Sequence, residues 1–279
     1  MIAHRPIHSA MKVKAHRAAD HSALQGKLTV GEIMIPRSDF ICALAHETVA
    51  KAFSGVDPIF DALPVVEGSD KADLHAEIVG VIDRRAVKRP TTSTVVSEMA
   101  DWDGKALSFN LPLIDFVRAA RGDVMQFVEG AAGGVAGLVT IFDIQRLPVR
   151  IALFAALTDL EEDISALIDL FSSPTEWRDL VSPTSRDLVA EIEKGLKRAE
   201  RRDDLGAPIL ALGFGCKVAI LNELVRRGKI FGLRDMVQHK VVTLRNDVAH
   251  GTPFADVTSV PSVLSEAVSI HSKIKKVLI

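Results

Sequence analysis

The fold of the N-terminal half is decided by Leu63-Pro64-Val65-Val66-Glu67-Gly68, followed by Ile78-Val79-Gly80-Val81-Ile82-Asp83. The pattern recurs as Met125-Gln126-Phe127-Val128-Glu129-Gly130, followed by Val135-Ala136-Gly137-Leu138-Val139-Thr140. Each run is short, apolar and bounded by turn residues, which predicts two strands joined by a turn. The chain therefore contains an internal repeat.

A further strand and a helix precede each pair of strands. The strands are predicted over 40–44 and 106–109, and the helices over 48–53 and 113–120. With a helix after each hairpin, the predicted unit is β-α-β-β-α, twice. Beyond residue 147 the apolar residues follow long helical periods. These periods predict helices over 149–170, 186–202, 207–227, 233–250 and 262–278.

We therefore predict an α+β protein with three parts. Residues 1–26 form a flexible N-terminal tail, residues 27–146 the two β-α-β-β-α copies, and residues 147–279 an all-α bundle. The 279 residues exceed the usual size of a single domain. Hydrophobic residues at 48% and charged residues at 25% are typical of a folded globular chain.

Composition also excludes several classes of protein. A net charge of −2 excludes a polycation that binds nucleic acid indiscriminately, so any basic site must be local. No stretch reaches the ~20 apolar residues of a membrane-spanning helix. Cys42 and Cys216 are too far apart in sequence for a disulfide scaffold or a zinc cluster, so we predict no metal site and a cytoplasmic location.

The repeat resembles a tandem pair of CBS domains over about residues 27–146. The segment Val30-Gly31-Glu32-Ile33-Met34-Ile35-Pro36 is similar to the family's entry segment, and Gly137-Leu138-Val139-Thr140-Ile141-Phe142-Asp143 is similar to its Gly-hydrophobic-hydrophobic-Thr/Ser-x-x-Asp ligand motif. The resemblance implies that Gly137, Thr140 and Asp143 bind an adenine nucleotide (ATP, ADP or AMP) as a regulatory ligand. Thr140 is expected to contact a phosphate and Asp143 the ribose.

Two observations qualify this ligand site. The first copy carries Asp83 and Ala86 where the motif needs Thr and Asp, so one working half-site is expected at most. In the second copy, Thr140 and Asp143 also suit a helix N-cap and a first-turn acid, which are favourable without any ligand.

The sharpest signal in the predicted bundle is Arg245-Asn246-Asp247-Val248-Ala249-His250-Gly251. At about 100° per residue, Val237, Val241, Leu244 and Val248 share one helix face, which predicts the core side. Arg245, Asn246 and His250 lie on a separate face that points to solvent or to a partner. Val242 interrupts that polar face, which favours packing against a second copy of the chain.

This segment resembles the Arg-x4–6-His motif of HEPN domains, which are dimeric α-bundles and often metal-independent ribonucleases. The resemblance covers about residues 150–279 and implies a homodimer that cleaves RNA without a cofactor. His250 is expected to transfer protons, Arg245 to stabilise phosphoryl charge and Asn246 to orient the site. An imidazole and a guanidinium suit these roles. A helix that simply ends at His250 and Gly251 is the alternative.

Charge distribution supports a polyanionic partner. Two basic clusters stand out: Lys194, Lys197, Arg198, Arg201 and Arg202 in the first, and Arg226, Arg227, Lys229, Arg234, Lys240 and Arg245 in the second. They suit the RNA backbone, although a solvated helix face explains them equally well. The acidic run Glu161-Glu162-Asp163 is interpreted as a solvated face, because adjacent helical residues point in different directions.

The leading hypothesis is an endoribonuclease regulated by an adenine nucleotide. The alternative is a non-catalytic nucleotide sensor whose bundle serves as a dimerisation or RNA-binding module.

Overall fold

The computed structural model describes residues 26–88, 92–120, 125–131, 133–181, 185–201, 208–234 and 236–279. It combines an α+β N-terminal half with a helical C-terminal half, as the sequence predicts. The predicted tail lies outside the described residues except for Gly26. Among the described helices, none is both long and apolar enough to cross a bilayer.

The described part of the N-terminal half contains two four-stranded sheets. The strands are β1 Ile35–Pro36, β2 Ala43–Leu44, β3 Ala62–Val66, β4 Ile78–Asp83, β5 Ala100–Asp101, β6 Leu107–Ser108, β7 Gln126–Glu129 and β8 Val135–Val139. One sheet has the order β2-β3-β4-β5 and the other the order β6-β7-β8-β1. Each is built around one predicted antiparallel hairpin, so the strand repeat inferred from the sequence is confirmed.

The two sheets exchange their edge strands. β5 directly precedes the second copy but pairs with β4 of the first, whereas β1 precedes the first copy and pairs with β8 of the second. A glycine stands at each crossing. A Cβ on Gly137 would lie 2.6 Å from the carbonyl oxygen of Ile35, and one on Gly80 would lie 2.5 Å from that of Ala100. Neither copy therefore completes its own sheet.

Backbone hydrogen bonds repeat the same exchange. N–H groups of each entry segment donate to carbonyls of the other copy at 2.9–3.0 Å: Val30 to Leu111, Gly31 to Phe109, Val95 to Glu47 and Val96 to Ala45. The matching partners show that the two copies are related by an approximate two-fold axis.

Helices α1 to α3 belong to the sheet region, and α4 to α9 form the bundle. Their bounds are α1 Val49–Ala52, α2 Val95–Glu98, α3 Leu113–Ala119, α4 Leu147–Phe171, α5 Pro174–Val181, α6 Arg186–Arg201, α7 Phe214–Arg226, α8 His239–His250 and α9 Val260–Leu278. A short 3-10 helix, Ile141–Gln145, leads from β8 into α4. The second copy thus closes with a short 3-10 helix, whereas residues 84–86 after β4 of the first copy form only a turn, so the helix predicted after the first hairpin is not formed.

Helix α5 was not predicted, because Ser172-Ser173-Pro174 is typical of a turn. The helix begins at Pro174, directly after Ser173. The Ser173 N–H donates to Glu176 Oε2 in the first turn at 2.9 Å. This is half of a capping box, and proline is tolerated in a first turn. The helix is held in place by Trp177, which is fully buried.

The second copy and the bundle share one apolar core. Phe116 of α3 and Val139 of β8 belong to the same buried cluster as Ile144, Leu153 of α4 and Ile274 of α9. The first sheet has a smaller core of its own around Val65 and Ile82. The predicted division at residue 146 thus falls inside a continuous core.

Both cysteines are free and buried. Burial and a hydrogen bond from the Cys216 thiol to Glu191, at 3.1 Å, raise the pKa of Cys216 to about 12. Burial also raises the pKa of Cys42. Because a thiol attacks only as the thiolate, neither side chain is placed to act as a nucleophile.

Candidate functional site

The predicted nucleotide-binding residues lie at the end of β8 and the start of the 3-10 helix. Gly137 pairs with Pro36 of the exchanged strand β1, so the close approach of two backbones explains this glycine without a ligand. Thr140 is the N-cap of the 3-10 helix, and Asp143 is in its first turn. Hydrogen bonds join Thr140 to Asp143, whereas Gly137 lies against the exchanged strand.

The Asp143 carboxylate is 6% exposed and bound on both oxygens. Its Oδ2 accepts from the Thr140 backbone N–H at 2.6 Å and from Thr140 Oγ1 at 3.0 Å. Its Oδ1 lies 2.7 Å from Nε of Arg146, the N-cap residue of α4. A ribose that binds here would share this carboxylate with Arg146.

In the first copy, the position that corresponds to Thr140 holds Asp83, which forms an ion pair with Arg85. Asp83 accepts from Arg85 Nε at 3.1 Å and from Arg85 Nη2 at 3.0 Å. These bonds hold the pKa of Asp83 below its usual range. Ala86 stands where the motif has its aspartate, so the first copy has no carboxylate at the position that corresponds to Asp143.

Helix geometry predicted that Arg245 faces solvent or a partner. Instead, its guanidinium is bound within the same chain. Its Nη2 lies 2.7 Å and its Nε 3.0 Å from Glu161 Oε2 on α4. The other oxygen of Glu161 lies 2.7 Å from Nζ of Lys217, which is 4% exposed. One carboxylate thus neutralises a buried lysine and orients the candidate catalytic arginine at the same time.

The interpretation of Glu161-Glu162-Asp163 as a solvated face is therefore wrong for Glu161. Asp163 is also bound, because its Oδ2 lies 2.8 Å from Nε2 of His271 on α9. Burial lowers the pKa of His271, although the hydrogen bond to Asp163 acts in the opposite sense. The sequence does not show that Glu161 meets Lys217 and Arg245, because these residues lie on other helices and only packing brings them together.

Asn246 and His250 are exposed near the C-terminal end of α8, and Gly251 ends the helix in the left-handed conformation with φ of 69°. The predicted core residues Val237, Val241, Leu244 and Val248 are buried, as expected. The helix end also has the form of a simple C-terminal cap. The backbone geometry is therefore compatible with a HEPN-like site at Arg245 and His250 and with a helix that simply ends there.

Val242 does not face a partner. It is 7% exposed and belongs to the protein's own core, beside Gly215 of α7. The N-terminal half of α8 is covered on this side, whereas Ala249 near its end is exposed. The argument for a dimer that rested on Val242 is therefore wrong.

Two side chains connect the predicted nucleotide site with the end of α8. Gln145 donates to the carbonyl of Phe254 at 3.0 Å and accepts from the Phe254 N–H at 3.1 Å. Arg150 of α4 donates to the carbonyls of Asp247 and Thr252 at 2.6 and 2.7 Å. Both residues follow Asp143 by fewer than three helical turns, so the two candidate sites are mechanically joined.

Two clefts lie in the sheet region. One of about 650 Å³ is lined by Arg37, His75, Trp102 and Glu129, at the turn end of the hairpins. Another of about 330 Å³ lies between the two copies, beside β5 of the first sheet and β7 of the second. Gln126 in its lining pairs with Val139, the residue before Thr140. Within the described residues, no group of three or more histidine, cysteine or acidic side chains could hold a metal ion.

Solved structures of CBS domains are similar to this chain, and the three that follow each cover less than half of it. The CBS domain of a bacterial CNNM/CorC family Mg²⁺ transporter in complex with ATP is 24% identical, with a TM-score of 0.36, over 44% of this chain and 89% of that one. CBSX2 in complex with AMP is 20% identical, with a TM-score of 0.35, over 44% and 97%. A hemolysin-like protein containing a CBS domain from Oenococcus oeni PSU is 20% identical, with a TM-score of 0.35, over 44% and 92%. No family model and no curated protein matches the sequence.

Replacing Glu161 tests whether its carboxylate supports the bundle. We expect Glu161→Gln to lower the free energy of unfolding by about 3 kcal/mol, because Lys217 is left as an uncompensated buried charge. The measurement is urea denaturation, with the exposed Glu200→Gln as the control at about 0.5 kcal/mol or less. Adding Lys217→Met to Glu161→Gln should restore part of the loss. If Glu161→Gln and Glu200→Gln lower the free energy of unfolding equally, the Glu161 carboxylate does not support the bundle.

Proposed function

We propose that the protein is a sensor of adenine nucleotides in which residues 27–146 bind ATP, ADP or AMP and residues 147–279 carry the response. The observation that carries this proposal is the pairing of Asp143 with Arg146. The carboxylate expected to bind ribose is tied to the residue that begins the longest helix of the bundle. The two buried free thiols fit a reducing compartment such as the cytoplasm.

The contacts between the predicted nucleotide site and the end of α8 provide a route by which nucleotide binding would affect the bundle. A ribose hydroxyl on Asp143 weakens its bond to Arg146, and the adjacent Gln145 and Arg150 hold the loop at Phe254 and the end of α8. The nucleotide shifts this arrangement only if it binds one state of the junction more tightly than the other. The shared core supplies the rigid connection that such coupling needs.

Nucleotide binding is tested by calorimetric titration of the full chain with ATP, ADP and AMP in turn. We expect Asp143→Asn to weaken binding at least about tenfold, roughly 1.4 kcal/mol, because an amide cannot replace both acceptor oxygens. The matched control is Asp83→Asn, the same change at the first-copy position that corresponds to Thr140, which should bind as the wild type does. All proteins are titrated below their melting temperatures. Absence of binding for all three nucleotides, or equal losses in both variants, would contradict the proposal.

We further propose that the bundle forms a homodimer through α4. Leu147, Ile151 and Phe154 occupy one face of this helix at i, i+4 and i+7 and are exposed, as is Phe142 just before them. Contiguous exposed apolar residues mark interaction sites. The face adjoins the end of α8, where Arg150 reaches Asp247, so a two-fold contact brings two copies of the Arg245–His250 motif close together.

Replacing Phe154 by aspartate places a charge in that apolar face, and we expect the variant to sediment as a monomer at a concentration where the wild type is dimeric. Leu210→Asp is the control, because Leu210 is equally apolar and is exposed on a different surface. Analytical ultracentrifugation gives both masses. A monomeric wild type, or a dimer that both variants leave intact, would show that this face does not mediate association.

RNA cleavage by the HEPN-like motif is a second candidate function. The favouring observation is that Asn246 and His250 are exposed on α8 while Glu161 orients Arg245 of the same helix. In this scheme His250 transfers protons and the guanidinium stabilises the charge on phosphorus. RNA is then the partner of the bundle, whether it is cleaved or only bound.

Cleavage is tested with labelled unstructured RNA in EDTA. If the motif is catalytic, His250→Ala should slow cleavage by about 10²–10⁴-fold, the usual contribution of a general acid or base. His239→Ala, at the other end of the same helix, should leave the rate unchanged. Equal activity in wild type and His250→Ala, or none in either, would leave the bundle as a binding module.

A further inference from the structure

The two basic clusters of the bundle differ in what surrounds them. Four of the six cations in the second cluster are bound to carboxylates: Arg226 and Arg227 to Glu223, Lys229 to Glu176, and Arg245 to Glu161. Glu223 is nearly buried, so it does not turn away from its two arginines when an external anion approaches. This cluster is therefore largely neutralised by the protein itself.

The first cluster lies on α6 and is not neutralised. Lys194, Lys197, Arg198 and Arg201 are all exposed and are spaced i, i+3, i+4 and i+7, so they share one face of the helix. Within the described residues, none of the four forms an ion pair. We call these four residues the α6 basic face.

Of the four acids of α6, Glu191 and Glu193 are bound to residues of other helices, and Glu200 is exposed about 60° around the helix from Lys197. Glu193 lies 3.2 Å from Arg178 on α5, and Glu191 accepts the hydrogen bond of the Cys216 thiol. Asp187 shares the side of the α6 basic face and marks its N-terminal end. The positive charge is thus concentrated on the last two turns of the helix.

The opposite side of α6 fixes its orientation. Ile192 is buried in the core, and Gly195 lies so close to the following segment that an added Cβ would be 2.5 Å from Leu212 Cδ2. The helix cannot rotate without opening this contact. Its apolar residues are consequently unavailable to a membrane, and no large hydrophobic residue of α6 is exposed.

We propose that the α6 basic face is a docking surface for the sugar–phosphate backbone of RNA. The proposal rests on the RNA binding proposed for the bundle and names where on the bundle that binding takes place. Four cations on a rigid helix, none in an ion pair within the described residues and with Arg198 donating only to the Lys194 carbonyl at 3.4 Å, gain more from releasing counterions around phosphates than cations that must first break an ion pair. With no aromatic side chain on this face, binding is expected to be independent of base sequence.

The experiment measures the fluorescence anisotropy of a labelled single-stranded RNA of about 30 nucleotides and mixed sequence over a series of KCl concentrations. The test variant replaces Lys194, Lys197, Arg198 and Arg201 by glutamine. The control replaces four exposed cations elsewhere, Arg234, Lys240, Lys275 and Lys276, and so removes the same charge. We expect the test variant to bind at least about tenfold more weakly and its salt slope to fall by up to ~3, since each single-strand phosphate contact contributes about 0.7.

A second variant separates charge from folding. Exchanging lysine for arginine and arginine for lysine at the same four positions keeps the charge, and binding should be retained. Equal losses in the test and control variants would overturn the docking surface but leave RNA binding in place. A wild type that binds no RNA at low salt, or that binds anionic phosphatidylserine vesicles instead, would overturn both.

Discussion

Burial of α4 on several sides is the constraint on which the rest of the structure depends. Its apolar residues, among them Val149, Leu153 and Ile164, pack against α3, α7, α8 and α9 within one core. Burying a side chain of this size stabilises the fold by roughly 1.5–3 kcal/mol. Packing therefore fixes the position of α4 and, with it, the position of the polar side chains that this helix carries.

Three polar residues of the rigidly placed helix α4 bind groups on neighbouring helices. Arg150 holds the carbonyls at the end of α8, Glu161 joins Lys217 to Arg245, and Asp163 meets His271 on α9. Each bond crosses from the central helix to a neighbour, so the polar contacts set the register of helices that apolar packing alone would leave free to slide. Because Glu161 is bound to a buried lysine as well as to Arg245, the stability of the bundle and the geometry of the candidate site are linked.

The Thr140–Asp143 motif shows how a capping arrangement and a binding site can use the same atoms. The bonds from Thr140 to Asp143 stabilise the start of the 3-10 helix, and they also pre-orient the carboxylate that the resemblance assigns to ribose. Arg146 gives this carboxylate a partner while no ligand is present. In the proposed sensor, a ribose would compete with Arg146 for the Asp143 carboxylate.

The sequence by itself determined the elements that depend on local patterns. The repeated hairpins, most bundle helices and the core face of α8 follow from periodicity and breakers, because these signals act over a few residues. Tertiary structure decided which residues meet. The exchange of β1 and β5, the burial of Val242 and the partners of Glu161 depend on residues far apart in sequence. For the same reason, only the folded chain distinguishes the neutralised cations around Glu223 from the free ones on α6: an ion pair depends on distance in space, which a count of charges along the sequence does not contain.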